Sequence, residues 1–301
     1  MPNGCSDQEL RDLEERINAL LPPKYVGCFE DVSPTSMGSA QLRYDKAGKV
    51  VWGEIWTTFC HLALAGGPPH RGTLLGPVPE RAVAAAAREY ELVVAELKRA
   101  LGLCVDLPLI ESAPAGWIGL QCDSEATAVW LMRAIVAENV IARRQGSLLL
   151  VPAGPHFRVE KEIKNVVVSV AKCCHYLFDH LEPEDQPTGD APSLVEPPLP
   201  HELAEMKDQY EQAASLLQQR IEESTGLTTQ LGEAPGWVGI GCESEETAVW
   251  LLRAVAVENI LVRRETATLF VPVDFRAGED AVAATAAAVA RAHRLSRLTC
   301  H

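Results

Sequence analysis

The chain has 301 residues, of which 47% are hydrophobic and 23% are charged, and its formal net charge is −14 at pH 7. This length favours two domains, and this composition is typical of a globular protein with apolar surface to bury. The acidic balance argues against a nucleic-acid backbone or an anionic membrane surface as a partner.

Targeting signals are not evident in the sequence. The N-terminus lacks a basic start followed by an apolar run, so no signal peptide is predicted. No stretch approaches the roughly 18 uninterrupted apolar residues that a membrane helix needs. The nine cysteines are odd in number and irregularly spaced, which favours reduced thiols over a disulfide framework. We therefore expect a cytoplasmic protein.

Residues 1–76 are predicted to form an N-terminal helix-hairpin-helix extension. Its first helix should end at the Pro22-Pro23 pair. A hairpin is predicted around residues 45–48. Residues 53–66 then carry apolar side chains at helical spacing and end in a glycine that suits a helix C-terminus. We expect this extension to pack on the module that follows it.

A segment of 29 residues occurs twice in the chain. Residues 116–144 read GWIGLQCDSEATAVWLMRAIVAENVIARR, and residues 236–264 read GWVGIGCESEETAVWLLRAVAVENILVRR, with 17 of the 29 positions identical. The similarity continues beyond both ends of this segment. Each copy is predicted to contain a helix, two strands, a second helix, a hairpin and a final helix.

The apolar helix inside each copy has matched start and stop signals. Ser124 in the first copy and Ser244 in the second precede this helix and predict an N-terminal cap. An acidic residue in the first turn supports the same start. Asn139 and Asn259 predict where the two helices end.

The predicted fold class is α+β, with two tandem copies of a helix-covered antiparallel-sheet module. The copies occupy residues 77–181 and 201–301. Between them, residues 182–200 contain six prolines, five acids and no base, which predicts an exposed and mobile linker. Since a sheet of about four strands is small, we expect the two copies to bury faces against each other as a pseudo-dimer.

The two copies differ most in the polar residues of their final helix. In the first copy a stripe of polar side chains lies opposite an apolar stripe, whereas in the second copy only His293 remains of it. A stripe of this kind is either a solvated outer face or part of a ligand site, and its absence from the second copy places any single site in the first half of the chain. The predicted ligand-binding residues of the stripe are Lys161, Lys164, Asn165, Lys172 and His175.

A loop in the N-terminal extension, GGPPHRG, suits the binding of a small anion. Its backbone amides and Arg71 can hold a carboxylate or a phosphate. His61 and His70 are the candidate acid–base residues, and Cys60 is a candidate nucleophile. The alternative is a rigid turn after a helix, and the loop matches neither the phosphate loop nor the dinucleotide fingerprint.

The same extension also carries residues that bind metals in other proteins. Zinc or another divalent metal would use Cys28, Cys60, His61 and His70. None of these residues stands in a C-x-x-C, H-x-x-x-H or H-E-x-x-H pair, so a metal is an alternative and not the main hypothesis. The sequence indicates no other cofactor.

Three functions are therefore open from the sequence. The first is a cytosolic protein with one asymmetric small-anion or cofactor site between the extension and the first module, which would be an enzyme if histidine acid–base chemistry operates there. The second is a non-catalytic scaffold or regulator that binds a protein partner or a second copy of the chain. The third is a metal carrier or metalloenzyme. We favour the first, because the copies diverge in polar residues while their cores are retained.

Overall fold

The computed structural model describes residues 3–22, 41–58 and 61–299. These residues form two small antiparallel sheets together with α-helices, which confirms the α+β class. Their contacts divide them into two compact units. The central unit contains residues 41–58, 61–63 and 67–191, and the C-terminal unit contains residues 3–22, 64–66 and 192–299.

The N-terminal extension is divided between these two units. Helix α1 (Asn3–Leu20) belongs to the C-terminal unit, whereas residues 41–58 belong to the central unit. In the C-terminal unit the guanidinium of Arg16 donates to the Glu258 carboxylate and to the Val257 carbonyl. These contacts join α1 to residues of the C-terminal unit. The sequence predicts that the whole extension packs on the module that follows it, and α1 does not.

The first part of the central unit is irregular. Tyr44 and Val50 form an antiparallel bridge around a turn at Gly48, where the hairpin is predicted. The α-helix predicted over residues 53–66 is wrong, because the described residues there form two short 3₁₀ helices, Trp52–Thr58 and Ala63–Ala65. Glycine and threonine in this stretch are poor helix formers, which explains the difference.

The remainder of the central unit is one three-stranded sheet covered by helices. The elements in chain order are α2 (Glu80–Ala85), α3 (Ala87–Cys104), β1 (Trp117–Gln121), α4 (Glu125–Ala137), β2 (Arg143–Gln145), β3 (Leu148–Pro152) and α5 (Lys164–Phe178). The strand order is β1-β3-β2, and both pairings are antiparallel. A turn of π-helix, Val159–Ile163, directly precedes α5.

The core of the central unit lies where α4 and α5 pack together and α4 covers β3. Ile118 and Leu120 of β1 are fully buried, as are their partners Val151 and Leu149 on β3. Burial of each such side chain contributes roughly 1.5–3 kcal/mol. Helix α4 is buried on every side after its first residue, so it forms a rigid support for the residues that follow it.

The C-terminal unit has a four-stranded antiparallel sheet and four helices after α1. These elements in chain order are α6 (Pro200–Glu205), α7 (Lys207–Thr225), β4 (Thr229–Leu231), β5 (Trp237–Gly241), α8 (Glu245–Ala256), β6 (Arg263–Glu265), β7 (Thr268–Pro272) and α9 (Gly278–Thr299). The strand order is β4-β5-β7-β6, and α7 and α9 make the most extensive helix contact in this unit. No helix in the described part of the chain combines the length and apolar character needed to cross a membrane.

The segment predicted to be an exposed linker, residues 182–200, makes specific contacts. In the C-terminal unit Val195 forms a parallel bridge with Ile260, and Leu194 is buried beside it. In the central unit the carbonyl of Pro187 accepts a hydrogen bond from the Thr127 hydroxyl. The segment is therefore not exposed along its whole length, because its apolar residues and carbonyl groups find partners that its composition does not reveal.

The predicted ends of the apolar helices are confirmed in both units. Ser124 Oγ accepts a hydrogen bond from the Thr127 amide at 3.0 Å, and Ser244 Oγ accepts one from the Thr247 amide at 3.2 Å. Asn139 and Asn259 follow α4 and α8 with φ of 61° and 56°. Asparagine tolerates this left-handed conformation and so ends each helix.

We expect the Ser124→Ala and Ser244→Ala variants each to lower the free energy of unfolding by about 1 kcal/mol, because each leaves a first-turn amide without its acceptor. Urea denaturation followed by circular dichroism measures this loss. Ser193→Ala, at an exposed position, is the control. An unchanged midpoint for either cap variant would show that its hydrogen bond does not stabilise the helix.

Candidate functional site

The centre of the candidate site is Glu138, which follows α4. Its carboxylate and the Lys172 ammonium on α5 are both fully buried, and Oε1 lies 2.8 Å from Nζ. Oε1 also accepts the Ala63 amide at 2.9 Å, and Oε2 accepts the His70 amide at 2.8 Å. A buried charge requires such partners, because its desolvation costs several kcal/mol. Glu138 thus connects α4, α5 and the loop that carries His70.

Asn139 holds the next part of the same loop. Its Nδ2 donates to the Arg71 carbonyl at 2.8 Å, and its own carbonyl accepts the Leu75 amide at 2.7 Å. The amide of Ile141 then donates to the Leu75 carbonyl at 2.8 Å. Two consecutive residues at the end of α4 therefore position the whole segment from His70 to Leu75.

The His70 ring is kept neutral by its surroundings. Burial is the main reason that its pKa falls to about 4, and the nearby Lys172 and Lys164 lower it further, while Glu138 and a hydrogen bond with Asn165 act in the opposite direction. Nδ1 is buried and has no hydrogen-bond partner among the described residues. The contact with Asn165 therefore uses Nε2, and because it raises the pKa of the ring, Nε2–H donates to the amide oxygen and the Nδ1 lone pair is left as an acceptor.

A second buried polar atom lies on the face of α5 that carries Asn165. Ser169 is fully buried, and its Oγ has no hydrogen-bond partner in the described part of the protein. Ser169 follows Asn165 by four residues and precedes Lys172 by three, a spacing that places the three side chains next to one another along the helix. The face of α5 that contacts His70 through Asn165 therefore also carries a buried hydroxyl.

Five residues selected from the sequence lie around this cluster, although not as the sequence analysis expects. The prediction of an exposed stripe is wrong for Lys172, which is fully buried and paired with Glu138. Helix α5 packs against both α3 and α4, and Lys164, Asn165 and His175 of its polar side are half-buried. The five residues are His70, Arg71, Lys164, Asn165 and Lys172.

Arg71 and Lys164 occupy the edge of the cluster. The Nε of Arg71 donates to the Thr73 carbonyl, and its guanidinium interacts with Glu162 at the start of α5. Burial lowers the pKa of Arg71, and the nearby Glu162 opposes this effect. Burial also lowers the pKa of Lys164, and there the nearby Glu160 opposes it. Both cations are thus partly withdrawn from water beside the neutral ring of His70.

Other predicted residues lie elsewhere. The π-helical turn contains one residue more than an α-helical turn, which rotates Lys161 by about 100° relative to Lys172. Lys161 therefore points away from the face that carries Lys172, and it lines a separate groove of about 700 Å³ with Tyr44 and Arg158. His175 contacts Asp179 and His180 near the end of α5. His61 is exposed. The predicted Cys28 and Cys60 lie outside the described residues.

The described residues give no support to the predicted metal ligands. No group of three or more His, Cys, Asp or Glu side chains among them is arranged to hold a metal ion. For His70 there is also an electrostatic reason, because the two neighbouring ammonium groups repel a cation.

The described cysteines are unsuited to nucleophilic chemistry. Burial raises the pKa of Cys104 and of Cys122 to about 12, and it raises that of the fully buried Cys173 further. A thiol must lose its proton to act as a nucleophile or metal ligand. These three residues therefore act as core side chains.

The key residue that the sequence analysis misses is Glu138. A local signal exists, because the Glu-Asn pair after the apolar helix occurs in both copies, as Glu138-Asn139 and Glu258-Asn259. No family model matches the chain, and comparison with curated proteins and with solved structures finds no match. The site is therefore interpreted from its own geometry.

We expect Lys172→Met to lower the free energy of unfolding by about 3–5 kcal/mol, because it leaves the Glu138 carboxylate buried without its cation. In Lys172→Met/Glu138→Gln the loss should be smaller than in Lys172→Met alone. Urea denaturation of both variants and of Glu138→Gln completes a double-mutant cycle. The control is Lys207→Met, which removes one partner of the exposed Lys207–Glu211 pair and should cost under about 0.5 kcal/mol. Additive losses in the cycle would contradict coupling between the two buried charges.

The lowered pKa of His70 predicts a pH dependence of stability. The unfolded ring takes up a proton as the pH falls through about 6.5, whereas the folded ring stays neutral until about pH 4. The contribution of His70 to the free energy of unfolding should therefore decrease as the pH falls across this interval, by about 3 kcal/mol.

The measurement compares urea denaturation of the wild type and His70→Gln between pH 7 and pH 4. The stability difference between the two proteins should change with pH in favour of the variant at low pH. His156→Gln controls for the loss of an exposed histidine in the same unit. A pH-independent difference for His70→Gln would show that the ring is not held neutral.

Proposed function

We propose that the cluster around His70 binds a small anion, a carboxylate or a phosphate, that carries its own hydrogen-bond donor. The observation that supports this most directly is the buried Nδ1 of His70. It belongs to a ring that is neutral above about pH 4, and it has no hydrogen-bond partner among the described residues. Buried polar atoms in native proteins normally have a partner, and a water, ion or ligand often supplies it.

The charges around the ring balance one another, so the attraction for an anion would come from one cation and not from a net positive charge. The charge of Lys172 is balanced by that of Glu138, which lies 2.8 Å away. The other charges near the ring are the cations Lys164 and Arg71 and the anions Glu160 and Glu162. Because Lys164 is half-buried, its ammonium interacts more strongly with a nearby anion than an exposed ammonium does. It supplies the attraction, and His70 Nδ1 supplies the directional contact.

Ser169 completes the proposed set of ligand contacts. Its buried hydroxyl can donate to a carboxylate or phosphate oxygen, while His70 Nδ1 accepts from a hydroxyl or amine of the same ligand. A site that combines a donor, an acceptor and a cation recognises a hydroxy acid, an amino acid or a phosphate monoester better than a simple inorganic anion. This combination defines the proposed ligand class.

Binding is favoured over catalysis in the unliganded site. General acid–base residues work best when their pKa lies near the operating pH. With a pKa of about 4, His70 is a weak base at neutral pH. A bound anion would raise this pKa, so acid–base chemistry at His70 would belong to the liganded protein.

We also propose that the two units derive from an internal duplication and that only the central unit retains the site. Both units contain the Glu-Asn pair after an N-capped apolar helix. In the final helix, alanines occupy the positions that correspond to Asn165, Ser169 and Lys172, and in the C-terminal unit Glu258 is bound by Arg16. The pseudo-dimer arrangement and the cytoplasmic location stay predictions.

Thermal denaturation with added ligands tests the proposed site. Phosphate, glycolate and phosphoserine are the probes, with chloride at matched ionic strength as the reference. A ligand that binds only the folded protein raises its Tm, and the shift grows with the logarithm of the ratio of ligand concentration to Kd, so phosphoserine or glycolate should raise the Tm of the wild type. The shift should be absent in His70→Gln and reduced in Lys164→Met and Ser169→Ala.

The control variants are His156→Gln and Lys207→Met, which change an exposed histidine and an exposed lysine outside the cluster. They should keep the full shift. A shift of the same size in His70→Gln and the wild type would contradict the proposed site. The absence of any shift with all three probes would favour the non-catalytic scaffold.

A further inference from the structure

A pair of histidine rings near the end of α5 has a separate arrangement. His175 lies in the last turn of the helix, and His180 lies just beyond it. Their Nε2 atoms are 3.2 Å apart, and the ring planes are almost perpendicular, at 89°. Both side chains are half-buried.

The other nitrogen of His175 is held by a carboxylate. Asp179 Oδ2 lies 2.6 Å from His175 Nδ1. A carboxylate at this distance holds the proton on Nδ1, so the lone pair of the neutral ring lies on Nε2, which faces His180. The ring of His180 also stacks against Tyr176, with 5.1 Å between the ring centroids and 33° between the planes, which restricts its rotation.

We propose that His175 and His180 bind one divalent transition-metal ion, of which Zn²⁺ is the type, through their two Nε2 atoms. With Zn–N bonds of about 2.0–2.1 Å and tetrahedral angles, two ligand nitrogens are separated by about 3.3–3.4 Å. The observed 3.2 Å is close to this separation. Imidazole is a preferred ligand of zinc, copper and nickel.

Asp179 positions His175 and does not itself bind the ion. It contacts the opposite side of the His175 ring, and a hydrogen bond that a metal-binding histidine donates to a carboxylate orients the ring and increases its basicity. No group of three or more His, Cys, Asp or Glu side chains among the described residues is arranged to hold a metal ion, so the proposed site has two protein ligands. Water fills the other coordination positions, which makes the ion exchangeable.

The C-terminal unit contains a natural comparison. His293 lies on α9, but the residues four and five positions after it are Arg297 and Leu298, where Asp179 and His180 follow His175. His293 is also buried, and its pKa is lowered by burial and then by Arg297. A histidine in this setting lacks the second imidazole and the orienting carboxylate that the proposed site has.

Titration of the full chain with Co²⁺ tests the proposal, because the absorption spectrum of cobalt reports on its ligands. We expect the wild type to bind one Co²⁺ with visible d–d bands and without a thiolate-to-cobalt charge-transfer band, and Zn²⁺ to displace it. His175→Ala and His180→Ala should each weaken binding at least tenfold. Asp179→Asn should weaken it about 10-fold to 100-fold, as expected for a residue that orients a ligand.

His156→Ala and His293→Gln are the matched controls, and both should bind as the wild type does. Binding of equal affinity in the wild type and in either His175→Ala or His180→Ala would overturn the proposal, since the two rings would then only hydrogen-bond to each other. A thiolate charge-transfer band would also overturn it, because the ion would then lie at cysteines. Circular dichroism of the metal-free variants verifies that each is folded.

Discussion

The contact between the Glu138 carboxylate and the Lys172 ammonium is the interaction on which the central unit depends. Both groups are fully buried, and their desolvation is offset only because the carboxylate also accepts the amides of Ala63 and His70. These four groups come from α4, α5 and an irregular loop. The loop forms few regular hydrogen bonds of its own, so its position relative to the two helices depends on this carboxylate and on Asn139 beside it.

A buried ion pair of this kind contributes specificity more clearly than net stability. An apolar pair of the same size would often be as stable, whereas loss of one partner is strongly unfavourable. The arrangement of the loop that satisfies Glu138 places the His70 ring next to Asn165. The same charges then determine the chemistry of the ring, because burial and the nearby lysines keep it neutral and so preserve Nδ1 as an acceptor.

Helix α5 carries both proposed sites, and the two are chemically different. At its beginning, Asn165 lies beside a neutral imidazole and Ser169 follows one turn later, a combination that we propose for an anion with a donor group. Near its end, His175 and His180 face each other and favour a metal cation. The fixed helix separates these two environments. In helix α9 the matching sequence positions hold alanines in the first region and an arginine and a leucine in the second, so we propose both sites for the central unit alone.

Several features followed from the sequence because they depend on neighbouring residues. The α+β class, the caps at Ser124 and Ser244 and the helix ends at Asn139 and Asn259 result from hydrophobic periodicity and from hydrogen bonds within one turn. The choice of His70, Arg71, Lys164 and Asn165 as candidates also required only their residue types and the comparison of the two copies.

Only the tertiary structure decided which of these residues meet. It buried Lys172 against Glu138, turned Lys161 away through one π-helical turn, placed α1 in the C-terminal unit and buried part of residues 182–200. Each of these outcomes depends on contacts between residues far apart in the chain or on a change of one residue in helical register. Local patterns contain neither kind of information, because the energy of a buried charge depends on the partner that the fold brings to it.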